Sequence, residues 1–121
     1  MPARLRPAPE AEVRAALAAS PAAPEQVRLL VKHFLAVLAE RAPGASVEVR
    51  VPPYAAVQAV AGVRHTRGTP PAVVELDAET WISLATGALG WVDAEREGLV
   101  RASGERADLS TLLPLLPEGE P

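Results

Sequence analysis

The sequence predicts an α+β domain, with helices packed on a mainly antiparallel sheet of about four to five strands. Three observations carry that expectation. Glu25 to Arg41 has apolar residues at helical spacing, the segment from Ser46 switches to a period of two, and the stretch from Asp77 alternates stop signals with short apolar faces. At 121 residues the chain is expected to be a single domain over 1–121, large enough to bury about two thirds of its unfolded surface.

Residues 1–9 contain three prolines and two arginines, a composition that resists regular structure, so they are expected to form a flexible or draped arm. Glu10 to Ala19 can form a short helix with Val13, Ala16 and Leu17 on one side, ended by Ser20-Pro21. In the next helix, Glu25 to Arg41, Val27, Leu30, Val31, Phe34, Leu35 and Leu38 make an apolar stripe, and Pro43-Gly44 stops it. His33 borders that stripe. It has no second ligand at metal-binding spacing, which favours a boundary position over a metal site.

Val47, Val49 and Val51 alternate with Glu48 and Arg50, as in a strand buried on one face. Pro52-Pro53 breaks this strand before a second from Tyr54 to Ala61, and Ala72 to Leu76 is the third. Asp77 can cap a helix over Ala78 to Thr86, with Gly87 as its stop. A shorter helix from Gly90 to Glu97, a strand from Leu99 to Ser103, a turn at Gly104 and a last helix from Ala107 to Leu113 complete the expected order.

Composition excludes several function classes. Hydrophobic residues make up 49% of the chain but aromatics only 3%, so the core is built from Ala, Val and Leu. Such small side chains either bring backbones close together or leave space. The net charge of −3 opposes general affinity for nucleic acid or anionic membrane. Lys32 is the only lysine, and the Arg, Ala and Pro bias fits GC-rich coding. With no cysteine there is no disulfide, thiolate metal site or thiol nucleophile. No run of about 18 uncharged apolar residues exists to span a bilayer, and the first residues lack a signal-peptide core, so the expected location is cytoplasmic.

Arg64, His65 and Arg67 form the densest basic cluster, suited to a carboxylate or phosphate head group. The competing reading is a solvated loop paired with Glu75 or Asp77. Trp81 and Trp91 are the only indoles, and each is either core packing or the wall of an apolar cavity. Leu112 and Leu113, with Leu115 and Leu116, either close the core or mark a binding surface. Nucleophile elbows, phosphate loops, dinucleotide fingerprints and paired metal-binding histidines are all absent, so no enzyme, cofactor or metal is expected.

Leu84-Ala85-Thr86-Gly87-Ala88-Leu89, Ala94 with Gly98, Ser103-Gly104 and the apolar tail Leu109 to Leu116 together resemble the C-terminal half of the sterol carrier protein-2 family. The resemblance covers about a third of the chain and is to a short actinobacterial branch of bacterial sterol-carrier orthologues. It implies a sterol-carrier-like α+β fold, a cavity, and non-enzymatic binding of a sterol-like, fatty-acyl or isoprenoid ligand. Arg64, His65, Arg67, Trp81, Trp91, Leu112 and Leu113 are the candidate ligand-binding residues. The alternative is an accessory or protein-interaction module, self-associating or assisting a thiol-cofactor-dependent enzyme.

Overall fold

The computed structural model describes residues 5–62, 72–104 and 107–116. Its elements are α1 (Glu10–Ala18), α2 (Pro24–Arg41), β1 (Val47–Val51), β2 (Ala55–Ala59), β3 (Ala72–Leu76), α3 (Ala78–Thr86), α4 (Trp91–Arg96) and β4 (Val100–Ser103). The four strands form one sheet in the order β2-β1-β3-β4. β1 runs antiparallel to β2 and β3 antiparallel to β4, but β1 and β3 at the centre are parallel, with Val49 opposite Val74. The fold is therefore α+β with a mixed sheet. A parallel central pair requires a long connection between β1 and β3, and the β2 excursion and the segment after it provide one.

Alternation along each strand decides which face is covered. Val47, Val49 and Val51 of β1, Ala59 of β2, and Ala72, Val74 and Leu76 of β3 are buried, whereas Arg50, Gln58 and Arg101 are exposed. The buried face joins Leu30, Val31, Phe34, Leu35 and Leu38 of α2 and Trp81, Leu84 and Ala85 of α3 in one hydrophobic cluster. Trp81 is fully buried, and its indole Nε1–H donates to the carbonyl of Val31 at 3.3 Å, which ties α3 to α2.

Local chemistry sets the helix ends. The Asp77 carboxylate accepts from the Thr80 N–H at 2.8 Å, and Gly87 ends α3 in the left-handed region at φ 88°. Pro24 opens α2, and the Gln26 side chain accepts from the Ala23 N–H at 2.8 Å. Because Ala23 has no side-chain acceptor, only this half of a capping box is made.

The exit of α2 closes on the end of β2. Val60 N–H donates to Ala42 O at 2.6 Å, and Val60 O accepts both the Ser46 N–H at 3.0 Å and the Ser46 hydroxyl at 2.6 Å. These bonds hold Val60 at φ 69°, where a β-branched residue is strained by about 1–3 kcal/mol. Gly44 makes the approach feasible, since a Cβ there would lie 2.3 Å from the Val60 carbonyl carbon.

The C-terminal helix expected from Ala107 to Leu113 does not form. The Asp108 carboxylate accepts the Ser110 N–H at 2.8 Å, a local turn that competes with the helical hydrogen-bond ladder. Further on, Leu115 N–H donates to Ala85 O at 2.8 Å, so the tail docks on α3 as an irregular segment. Leu109 and Leu115 are buried there, while Leu112 and Leu113 are half-buried.

Two stability measurements follow. Trp81→Ala should lower the free energy of unfolding by about 3–5 kcal/mol in chemical denaturation, because it empties a large buried site; a loss below about 1 kcal/mol would contradict the packing described. Gly44→Ala should cost clearly more than Gly98→Ala. Gly98 also has positive φ, at 73°, but no neighbour within 4 Å of a Cβ, so its substitution carries only the left-handed strain of about 1–2 kcal/mol. Equal losses at the two glycines would show that the close approach of Gly44 to Val60 is not a constraint.

Candidate functional site

α2 packs against both α1 and α3, and the space between those two outer helices is not filled. It forms a groove of about 490 Å³, within the roughly 300–1,000 Å³ typical of small-molecule sites. Val27 and Leu30, one helical turn apart on α2, line its floor. Ala16 and Leu17 of α1 form one wall, continued by Ala19 and Ala22 of the connecting segment. The other wall comes from α3, where Ala78 and Ile82 are four residues apart and Glu79 and Ser83 form the parallel polar row beside them. The volume exists because four of the ten lining residues are alanine, while Leu17 remains 38% exposed at the lip.

Two further hollows open beside the sheet. One, of about 350 Å³, lies between Leu76, Leu99 and Arg101; the other, of about 470 Å³, lies over Pro53, Tyr54 and Arg50, and Pro52 and Glu75 border both. Arg50 is 3.4 Å from Glu48 and 4.0 Å from Glu75, so its charge is already neutralised on the outer face of the sheet.

The sequence-derived candidates are placed as follows. Arg64, His65 and Arg67 lie outside the described residues. Trp81 is in the core between α2 and α3. Trp91 is 5% exposed, and its Nε1–H is buried without a hydrogen-bond partner among the described residues. Leu112 and Leu113 are half-buried on the tail. The helical groove is lined by none of Trp81, Trp91, Leu112 and Leu113. Sequence reasoning missed the groove itself, although the alanine-rich run from Ala15 to Ala23 and the residues Ala78 and Ile82 were its signal.

Residues 5–9 run from the chain's start toward α1, and Leu5 and Ala8 pack against the core. The Ala8 N–H donates to Nδ1 of His33 at 2.9 Å, and the half-buried ring contacts Phe34 edge-on with centroids 4.9 Å apart. Burial lowers the His33 pKa below its ordinary value, with Glu40 opposing. Among the described residues, no group of three or more His, Cys, Asp or Glu could hold a metal ion, and no helix is long and apolar enough to cross a membrane.

His33 makes stability depend on pH in a definite direction. Only the neutral ring can accept from Ala8, so the folded state takes up the proton less readily than the unfolded chain, whose imidazole titrates near 6.5. Its contribution is complete above that value and is lost as pH falls through the lowered folded pKa. Thermal unfolding of the wild type should therefore show a decrease in stability just below pH 6.5 that His33→Gln lacks. An identical pH profile in the variant would show that the bond to Ala8 is not linked to protonation.

A protein-family model described as "Bacterial SCP ortholog" matches residues 24–115, which is more than half of the chain. The match begins at the first residue of α2 and ends at Leu115, so α1 precedes it. Comparison with curated proteins found no match.

Proposed function

Because the chain belongs to the bacterial SCP ortholog family, we propose that it is a non-enzymatic carrier that binds an apolar or amphiphilic chain, such as a fatty-acyl, isoprenoid or sterol-like molecule. The observation that carries this reading is the apolar groove among α1, α2 and α3. At about 490 Å³ it has room for roughly sixteen water-sized groups, on the scale of a medium-length hydrocarbon chain. Val27, Leu30, Leu17 and Ile82 would remove such a chain from water at about 0.8 kcal/mol for each buried methylene. A polar contact to Trp91, whose buried N–H has no partner among the described residues, and anion binding by Arg64, His65 and Arg67 are separate parts of the proposal.

One observation favours the accessory-module reading. Val92 on α4 is 61% exposed and Leu99 beside β4 is 38% exposed, apolar side chains that a partner protein could cover. The groove offers a larger apolar volume, so ligand binding is the leading function.

Ile82→Trp tests it by filling the groove from a half-buried position. Fluorescence titration with the neutral dye Nile red should give a dissociation constant at least about tenfold weaker in the variant, the equivalent of losing contact with about two methylenes. Wild-type affinity in a folded Ile82→Trp protein would remove the groove as the binding site.

A further inference from the structure

The described lining of the groove carries charge of one sign, while Arg14 of α1 is paired with Glu10 and Arg28 of α2 is not among the lining residues. Among the described residues that line the groove, the only ionisable group is the carboxylate of Glu79, with the Ser83 hydroxyl one turn further along the same row of α3. The helix ends that frame the groove reinforce this sign. The C-terminal turn of α1, which supplies Ala16 and Leu17, contains no basic residue to offset its carbonyl dipoles. The N-termini of α2 and α3 carry partial positive charge, but Glu25 stands in the first turn of α2, and Asp77 caps α3 with Glu79 following. Each helix N-terminus is equivalent to about half a positive charge, so the full charges outweigh it. A carboxylate placed here would meet like charge, whereas a hydrogen-bond-donating cation would meet acceptors.

Resting on the reading of this groove as a binding site, we propose that its ligand is a single-chain amphiphile whose head group donates hydrogen bonds, an ammonium group foremost, and that Glu79 sets this preference. The apolar chain lies along Val27, Leu30 and Ile82 while the head stays at the Glu79–Ser83 row, half in water. Since Glu79 is exposed, the selectivity it supplies is modest and weakened by salt.

The test compares decylamine, decanol and decanoate as competitors of Nile red at neutral pH and low ionic strength, so that tail length is constant and only the head changes. Decylamine should displace the dye at a concentration roughly fivefold lower than decanoate, the scale of an exposed charge interaction. Glu79→Gln should close that gap, and about 0.5 M salt should narrow it in the wild type. Equal potency of amine and carboxylate, or a gap that survives Glu79→Gln, overturns the head-group assignment. So does a preference for decanoate, and its loss in Arg64→Ala or Arg67→Ala would locate the head at the basic segment instead. In these cases the groove reading stands as long as Ile82→Trp weakens all three competitors. If Ile82→Trp weakens none of them, the groove reading falls and the head-group proposal falls with it.

Discussion

The seating of Trp81 on α2 governs the arrangement of the helical layer. In a chain with 3% aromatic residues this indole is the largest fully buried side chain, and it carries a polar N–H that cannot be left unpaired in an apolar interior without a cost of about 1–3 kcal/mol. The acceptor is Val31 O, in the middle of α2. That bond restricts both the distance and the rotation of α3 relative to α2. Once α3 is held in this way, Ala78, Glu79, Ile82 and Ser83 face the same opening as Val27 and Leu30. The geometry of the groove thus follows from a core contact on the adjacent face of the same helix.

What could be read from the chain was local. Asp77 and Gly87 bound α3 at the residues expected from capping chemistry, and the valines of β1 face inward as their alternation required. The parallel pairing of β1 with β3 was not legible, because it depends on a contact between segments separated by a hairpin and a long connection rather than on any periodicity. The tail from Ala107 failed as a helix for a residue-level reason: Asp108 satisfied a backbone donor locally, and Leu115 found its acceptor at Ala85. The groove was invisible for a different reason. A hollow arises from side chains that are too small to meet across three helices, and alanines score equally well as close packing or as empty space until the helices are placed.

The outer face of the sheet limits where an apolar ligand could bind. Arg50 lies opposite Glu75 in the β1–β3 register, and Glu75 lies opposite Arg101 across to β4, giving a row of alternating charge. Exposed pairs of this kind contribute little to stability. Their effect is to keep that face wetted, and no described helix covers it. Exposed apolar side chains are instead found at Leu17 beside the α1–α3 opening, and at Val92 and Leu99 around α4 and the start of β4.

The part of the groove contributed by α1 has a different standing from the rest. Its floor and its α3 wall fall within the segment that matches the family, 24–115, whereas Ala16, Leu17, Ala19 and Ala22 precede it. α1 is nine residues long, too short to be stable as an isolated helix, so its position depends on packing against α2 and on the strap that enters it. That strap is fastened to α2 by the Ala8 bond to His33, two residues before the helix begins. Leu5 and Ala8 of the strap also pack against the hydrophobic cluster. Displacement of α1 would therefore alter the volume and the carbonyl-rich rim of the groove and would also uncover the core at Val13 and Ala16, so that the groove and the core share these contacts.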